Sequence, residues 1–345
     1  MLTLLTALLL FQTSPAQAPA AATPPKEQMR TYRIQQVVTL SDIPADAGKV
    51  QWWVSIPDNN PDQAVLDFKA VSVPGSWSIQ RDAERGNRFL YIEVDSPKAA
   101  ELQATVEFTV RREPVLHSID PKLAGPITAV HRQLYAEELD RDAPHMQVTP
   151  ALQAMADKVC GAETNPAIQA RALLQHVIFL ADHYSKDPSK PNCGVGDAGS
   201  CVEKGGGCCT DLHSLFIALA RARGIPARLQ MGYRINPTKP NTMYDPGYRC
   251  WVEYFVPNYG WVPADAVEAD AVGGLGPDRW FSGLTEWRVW LNEGRQFTLR
   301  PAAVGAPVNT MVIGHAVIDG KVARVLPEGD LKPQLSRRIQ YADLP

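Results

Sequence analysis

The sequence predicts an α+β fold with β-rich segments at both ends and helices between them. Apolar and polar residues alternate from about residue 28 to residue 113, a period of two that is typical of half-buried strands. From residue 149 onward apolar residues recur at helical spacing behind capping residues, and past residue 270 the alternation returns. We therefore expect an N-terminal β-sandwich, a core of helices packed on a sheet, and a C-terminal β extension.

The composition is that of a globular protein. The 345 residues are 45% hydrophobic and 21% charged, which provides enough apolar material for a sizeable core. The formal net charge of −3 at pH 7 gives no electrostatic footprint for nucleic acid or for an anionic membrane surface. The length suits two domains, or one domain with additions.

The first residues, MLTLLTALLLFQTSPAQAPA, contain a short apolar run followed by small residues. This pattern predicts a signal peptide, which we place at residues 1–22, and hence a periplasmic or secreted protein. A disordered apolar tail is the alternative. The run is too short for a membrane span, and no later apolar run approaches ~20 residues, so we expect no span after the signal peptide is removed.

Residues 28–113 are predicted to form the N-terminal β-sandwich. The segment KVQWWVSI places Val50, Trp52 and Val54 on one side of a strand, and ELQATVEFTV places Val106 and Phe108 on one side of another. Gly, Pro, Asn and Asp separate the runs, as expected between antiparallel strands. Several such strands in so short a segment favour a sandwich, and this part of the sequence contains no reactive constellation.

Two helices are predicted after this domain. Thr149 and Asn165 are N-cap residues, and each precedes a proline at the first helical position. Cys160 falls on the apolar face of the first helix and is expected to be a buried, inert thiol. His176 and His183 follow in the second pattern as lone histidines, for which a structural role is favoured over a catalytic one.

The chain has six cysteines, at positions 160, 193, 201, 208, 209 and 250. In an exported protein this number suggests at least one disulfide and at least one thiol with another task. We predict one bridge between two of Cys193, Cys201 and Cys208, whose short separations permit closure, while Cys209 remains a thiol. The intervals are longer than those of a zinc site, so no metal and no other cofactor is expected.

The segment KGGGCCTDLHSLF places three glycines and two adjacent cysteines in front of an apolar helical pattern that ends at RGIPAR. A cysteine in the first turn of a helix lies among free backbone N–H groups at the positive end of the helix dipole, and both favour the thiolate. The same N–H groups can hold an oxyanion when an acyl carbon is attacked. The pattern therefore indicates a nucleophilic cysteine, although structural cysteines also occupy helix starts.

The stretch GGGCCTDLHSLFIALARARGIPAR, with GYRCWVEYFVPNYGWVPAD after it, resembles the transglutaminase-like superfamily of papain-type cysteine acyl-transfer proteins, in particular an exported bacterial subgroup. In that family a G-x-C motif opens a helix, and an H-x-W strand and a G-W-x-P-x-D strand follow. The resemblance implies that Cys209 is the nucleophile and that Asp265 orients the imidazole. It also implies a papain-like core at residues 114–272, with the cysteine helix on an antiparallel sheet, and a β extension at residues 273–345.

The strand histidine of the family is replaced in this chain. Where the family has H-x-W, the sequence reads Arg249-Cys250-Trp251. An imidazole takes the thiol proton and later gives it to the leaving amine, whereas a guanidinium has no acceptor and keeps its protons. We therefore expect a Cys209 thiolate beside an Arg249–Asp265 ion pair, a site that attacks activated esters or thioesters but is poor with amides.

His213 is the candidate for a substitute base, because it lies four residues from Cys209 on the same helical face. The subgroup looks to carry a histidine here even when the strand histidine is present, so a structural role is favoured. Trp251 shares the strand face of Arg249 and is expected to pack over the site as a substrate-binding residue. Cys250 points to the other face, where a disulfide or core packing is plausible.

A hairpin around the segment PNYG should decide where Asp265 lies. If Val256 pairs with Gly260, Asp265 shares the face of Arg249; if Val256 pairs with Trp261, Asp265 lies on the opposite face. A second hairpin is predicted in VNTMVIGHAVIDGKVARVL, where an Asp-Gly pair between alternating residues favours a type I′ turn. The histidine of that segment is expected to be packed.

The leading function is an exported transglutaminase-like protein that performs cysteine-dependent acyl transfer or hydrolysis on peptide or protein amides, impaired by the arginine at position 249. The alternative is a catalytically inactive module of the cell envelope that binds a peptide or a protein. A purely structural envelope protein is the third class. The expected partner is a peptide or protein, and nucleic acid is not expected.

Overall fold

The computed structural model describes residues 28–192, 194–271, 275–325 and 331–345 of the chain. The strands in these residues are β1 (Arg30–Leu40), β2 (Lys49–Ser55), β3 (Gln63–Ser72), β4 (Ser76–Arg81), β5 (Arg88–Asp95), β6 (Leu102–Arg112), β7 (Val115–Leu116), β8 (Asp182–His183), β9 (Gly206–Gly207), β10 (Ala227–Arg234), β11 (Arg249–Val256), β12 (Gly260–Ala264), β13 (Gly283–Leu284), β14 (Arg288–Glu293), β15 (Gly314–Ile318), β16 (Lys321–Val322) and β17 (Leu335–Leu344).

The helices lie mostly in the middle of the chain. They are α1 (Ala129–Leu134), α2 (Pro150–Cys160), α3 (Pro166–Leu180), α4 (Ala198–Lys204), α5 (Cys209–Ala222), α6 (Ala266–Asp270) and α7 (Pro277–Trp280). Thr149 and Asn165 cap α2 and α3 with their side chains, and a proline opens each helix, as predicted. The predicted cysteine helix is α5, which begins at Cys209.

Two antiparallel sheets share one apolar core at the N-terminal end of the chain. Their strand orders are β17-β1-β6-β3 and β16-β15-β2-β5-β4. Inward side chains from both sheets, among them Ile34, Trp52 and Phe108, are buried together. The strands from the C-terminal segment thus pair with β1 and β2 and complete the sandwich. The residue alternation predicts these strands but not this long-range pairing.

The second core consists of helices packed on an antiparallel sheet of order β12-β11-β10-β14. Helix α5 lies at its centre, and every residue from Cys209 to Arg221 is buried. Trp53, the neighbour of Trp52 on β2, belongs to this second core, so β2 is buried on both faces and joins the two cores. The predicted α+β fold class, with a cysteine helix on an antiparallel sheet, is confirmed.

Both predicted hairpins are present. Val256 pairs with Gly260, the first of the two registers considered for the strands that lead to Asp265. β15 and β16 pair across Asp319 and Gly320, whose φ angles of 47° and 76° suit a type I′ turn.

The predicted signal peptide, residues 1–22, lies outside the described residues. Within the described ranges, no helix is both long enough and apolar enough to cross a membrane.

Candidate active site

The glycine run before α5 lets three chain segments approach closely. Gly206 has a φ of 149°, and a Cβ there would lie 2.2 Å from the carbonyl oxygen of Asp182. A Cβ on Gly207 would lie 2.6 Å from Oδ2 of Asp211, the oxygen that accepts a hydrogen bond from the N–H of Cys208 at 2.9 Å. The glycines therefore fix the turn that starts α5.

Cys209 is the first residue of α5, and Cys208 is its N-cap, so the predicted nucleophile does stand at a helix start. The residue is buried, with 3% of its surface exposed. Hydrogen bonds with Cys208 and Cys250, together with burial, raise the pKa of the Cys209 thiol well above its ordinary value. These effects oppose the expected thiolate at Cys209, whereas the positive end of the helix dipole favours it.

The side chain of Cys250 is the unexpected member of the site. Its Sγ lies 3.2 Å from Nδ1 of His213 and 3.6 Å from Oγ1 of Thr210, and it also hydrogen-bonds with Cys209. Cys250 has no exposed surface. Burial would raise the pKa of Cys250, but the hydrogen bond with Cys209 and the adjacent His213 outweigh burial and lower this pKa to about 6.

His213 lies behind the cysteines on α5 and is fully buried. Its Nε2 accepts a hydrogen bond from the backbone N–H of Ala266 at 3.0 Å and lies 3.6 Å from Oδ1 of Asp265. Burial opposes a charged ring, whereas Cys250 and Asp265 raise the pKa of His213. The net effect raises the pKa of His213 and favours a charged ring beside an ionised Cys250, whereas the hydrogen bond from Ala266 to Nε2 favours the neutral ring.

A ring nitrogen that accepts a hydrogen bond carries no proton. We therefore assign to His213 the neutral tautomer with its proton on Nδ1, directed at the sulfur of Cys250. Charging the ring requires Nε2 to exchange the Ala266 amide for Asp265. In the assigned state His213 offers an N–H to the cysteines, and its lone pair points away from them.

Asp265 follows β12 and is the N-cap of α6. Its Oδ1 accepts hydrogen bonds from the N–H groups of Val267 at 3.0 Å and Glu268 at 3.1 Å, while Oδ2 pairs with Arg288. Burial alone would raise the pKa of Asp265, but the ion pair with Arg288 outweighs burial and lowers it. The carboxylate is therefore ionised and already held by several donors.

Arg249 does not pair with Asp265. Its Nη1 donates to the carbonyl oxygen of Tyr248 at 2.9 Å. Among the described residues, the ion-pair partners of Asp265 are Arg288 and His213. The expected Arg249–Asp265 pair is wrong because Arg288, from β14, occupies the carboxylate.

The two faces of β11 explain these positions. Tyr248, just before the strand, and Cys250 point toward α5; the hydroxyl of Tyr248 lies 3.0 Å from Sγ of Cys208. Arg249 and Trp251 alternate with them along the strand, and Arg249 lies near enough to His183, beside the start of α5, for its charge to lower the pKa of that ring. Trp251 is buried in the second core, with 2% of its surface exposed, and its contact with substrate stays a prediction.

His183 is a second histidine beside the site. The pairing of β8 with β9 places it opposite Gly207. Its Nδ1 accepts a hydrogen bond from the N–H of Ser185 at 3.2 Å, so the neutral ring carries its proton on Nε2. Burial, and after it the charge of Arg249, lower the pKa of His183 to about 4. The ring is neutral at physiological pH and presents an N–H, not a lone pair.

An apolar cavity of about 400 Å³ adjoins the start of α5. Thr210 and Tyr248 form its wall on the core side, with their hydroxyl oxygens 3.3 Å apart. Valines from the C-terminal segment, including Val308, Val312 and Val322, form the opposite wall. A space of this size accommodates the apolar group of a ligand.

The predicted disulfide is tested only in part. Cys201 and Cys209 are thiols, so the pairings that include Cys201 are not formed, and Cys209 is a thiol as predicted. Cys193 lies outside the described residues, and its pairing with Cys208 stays a prediction. Among the residues that the structure describes, no group of three or more His, Cys, Asp or Glu side chains could hold a metal ion.

Arg288 and Cys250 are the site residues that sequence reasoning missed or misplaced. Arg288 lies in the segment TEWRVW, which contains no motif that links it to Asp265. Cys250 did carry a signal, because Tyr248, Val252 and Tyr254 alternate with it and mark the apolar face that packs on α5.

Comparison with known proteins supports the fold. The family described as the transglutaminase-like superfamily matches residues 153–266. An uncharacterized protein from Haemophilus influenzae is 26% identical over 325 residues, which cover 84% of this chain and 86% of that protein. A protein-glutamine gamma-glutamyltransferase from Pseudomonas aeruginosa is 30% identical over 125 residues, which cover 35% of this chain but only 18% of that protein.

A solved structure resembles the chain along most of its length. The crystal structure of a Cytophaga hutchinsonii protein that was proposed to be a cysteine protease superposes with a TM-score of 0.58 and 18% identity. The superposition covers 91% of this chain and 98% of that chain. At this level of identity the likeness concerns the fold alone.

Proposed function

Because residues 153–266 belong to the transglutaminase-like superfamily, we propose that this protein performs slow, cysteine-dependent acyl transfer or hydrolysis on peptide or protein acyl groups, with Cys209 as nucleophile. The Pseudomonas relative is a protein-glutamine gamma-glutamyltransferase, which is consistent with acyl groups of proteins as the substrate class. The apolar cavity beside Thr210 favours acyl donors that carry an apolar group next to the reacting carbonyl.

We expect slow turnover because neither histidine near Cys209 offers a lone pair to the thiol of Cys209. The lone pair of His213 accepts the amide of Ala266, and that of His183 accepts the amide of Ser185. Arg249 stands at the family's histidine position and has no acceptor. The imidazole cycle that takes a proton from the thiol and returns it to a leaving amine is therefore missing.

The position of Cys209 supports acyl transfer. Cys209 opens α5, so its backbone N–H precedes the hydrogen-bond ladder of the helix and is available to hold an oxyanion. Attack on a thioester or an activated ester expels an anion that needs no proton. Attack on an amide expels an amine that must be protonated, which is why amides should react far more slowly.

We propose export on the basis of the N-terminal apolar run and the small residues after it. Expression of the full chain followed by cell fractionation tests this directly. Recovery in the periplasm or medium with the N-terminus removed near residue 22 is expected. Recovery of the intact chain in the cytoplasm would contradict export without touching the proposed chemistry.

The second candidate is a catalytically inactive module that binds a peptide or a protein. The burial of Cys209 and the raised pKa of its thiol favour this alternative, because both lower the reactivity of a nucleophile. The two candidates differ in whether an acyl group is ever transferred to the sulfur of Cys209.

Mass spectrometry after exposure to the thiophenyl ester of N-acetylleucine distinguishes them. Acylation of Cys209 in the natural protein, and none at that position in Cys209→Ala, is the result expected for the acyl-transfer protein. Cys160→Ser is the matched control, because Cys160 is another buried thiol, in α2 and away from the site. No acylation of Cys209 at any pH between mildly acidic and mildly alkaline would favour the binding module.

A further inference from the structure

The sulfur of Cys250 is surrounded by hydrogen-bond donors inside the protein. The assigned tautomer of His213 directs Nδ1–H at it across 3.2 Å, and the hydroxyl of Thr210 lies 3.6 Å away. The thiol of Cys209 is a third donor, since these two side chains hydrogen-bond with each other. A buried sulfur that accepts several hydrogen bonds is stabilised as the thiolate.

A buried positive charge next to the site favours the same state. Arg295 has 1% of its surface exposed, and its guanidinium donates to oxygens of Val195, Gly196, Ser214 and Asn309, none of them a carboxylate. Burial lowers the pKa of Arg295 to about 10, and Cys250 opposes this effect most, ahead of Asp211 and Asp197. A thiolate at Cys250 therefore compensates this buried charge together with Asp211 and Asp197.

We propose that Cys250 is the proton acceptor for the Cys209 nucleophile, a role taken over from the strand histidine that this chain lacks. The inference rests on the proposed function, and it assigns the base for that same reaction. Cys250 is not itself the nucleophile, because it has no exposed surface, whereas Cys209 stands at the helix start where an acyl group can be attacked.

The S–H bond of Cys209 breaks and its proton moves to the thiolate of Cys250, while the electron pair left on Cys209 forms the bond to the acyl carbon. The bond from that carbon to the leaving group then breaks. A thiolate or alkoxide departs with its electron pair, whereas a departing amine takes the proton from the Cys250 thiol and so restores the thiolate.

The groups that face Cys250 determine the pH at which it is charged. They are Cys209 and His213 from α5, Cys208 just before this helix, Asp265 behind His213, and Arg295 from the segment after β14. Burial raises the pKa of Cys250, but Cys209 and His213 outweigh burial and lower it below that of an ordinary thiol. Cys209 acylation should therefore fall as the pH drops through about 6, because Cys250 then carries a proton and can accept no other.

Cys250→Ser tests this assignment. Serine is close in size and keeps a hydrogen-bonding group, but its hydroxyl does not ionise at physiological pH. General-base catalysis is typically worth ~10² to 10⁴-fold, so the rate of Cys209 acylation by the thiophenyl ester should fall within this range and lose its limb near pH 6. Ultraviolet absorbance of the thiolate should titrate at the same pH in the natural protein and not in Cys250→Ser.

A second experiment, in the Arg249→His variant, distinguishes a role of Cys250 as base from a structural role. In Arg249→His the imidazole supplies the base, so adding Cys250→Ser should change the acylation rate less than about threefold, within the scatter of neutral substitutions. Loss of activity in that double variant would show that Cys250 only supports the fold, which would overturn the proposal.

The outcomes also separate this inference from the proposed function. Cys209 acylation that persists unchanged in Cys250→Ser would overturn the base and leave the acyl transfer intact. Thiolate absorbance that is the same in both proteins would overturn the charge assigned to Cys250. No acylation of Cys209 in the natural protein would overturn the proposed function and this role with it.

Discussion

Replacing Arg288 with methionine should destabilise the protein strongly, because it leaves a buried carboxylate without its cation. Arg288 has no exposed surface, and its Nη2 contacts both Asp265 and Glu268. After the change Asp265 retains only backbone donors and the distant Nε2 of His213. Breaking a buried ion pair by removing one partner typically costs about 3–5 kcal/mol, so Arg288→Met should lower the free energy of unfolding by an amount in this range.

Urea unfolding at constant pH measures the change, and Arg234→Met is the matched control. Arg234 also contacts Glu268, at 3.3 Å, but its side chain is 45% exposed. Exposed ion pairs contribute roughly 0–1 kcal/mol, so the control should remain close to the natural protein. Equal losses in the two variants would refute the claim that Arg288 holds the site together through a buried pair.

A double variant tests the cause of the loss. Nε and Nη1 of Arg288 are buried without a hydrogen-bond partner among the described residues, so the guanidinium is only partly compensated. Replacing both members of such a pair by neutral groups costs far less than removing one. Arg288→Met combined with Asp265→Asn should therefore recover most of the stability that Arg288→Met loses. No recovery would point to lost packing rather than to an unpaired charge.

Two further predictions concern the turn before α5. Gly207→Ala places a Cβ within 2.6 Å of the Asp211 carboxylate and should cost about 1–3 kcal/mol in urea unfolding, whereas Gly194→Ala, with no atom within 4 Å, should be nearly neutral. Burial, and then Cys208, raise the pKa of Asp211 to about 7, so the folded state binds this proton more tightly than the unfolded state, where the pKa is about 4. The free energy of unfolding should then fall as the pH rises from about 4 to about 7, and Asp211→Asn should flatten that slope; an unchanged slope would contradict the assignment.

The sequence predicted those parts of the fold that depend on local patterns. The caps at Thr149 and Asn165, the two hairpins and the start of α5 at Cys209 follow from neighbours in the chain, and all are present. The pairing of β1 with β17 joins the two ends of the chain. No local pattern encodes a contact of that range, so the completion of the sandwich by C-terminal strands could not be predicted.

The site was predicted less well than the fold, for two physical reasons. A motif places Cys209 and Asp265 but does not state which cation neutralises the carboxylate, and Arg288 is too distant in sequence to be recognised. The error over Cys250 was one of strand face. The apolar alternation through Tyr248, Cys250 and Val252 already indicated which side of β11 packs on α5. The family motif names Arg249 and Trp251 instead, so Cys250 was not considered as a site residue.

The amide-hydrolysis rate of Arg249→His, compared with that of the natural protein, tests the central claim that Cys209 is a nucleophile without an imidazole base. Hydrolysis of a glutamine-containing peptide, followed as ammonia release, is the assay. General acid–base catalysis is typically worth ~10² to 10⁴-fold, so the variant should gain a rate in this range over a weak background, and Cys209→Ala in the same background should abolish it. A natural protein that already hydrolyses the peptide as fast as ordinary cysteine hydrolases, and does so unchanged in Arg249→His, would contradict the account.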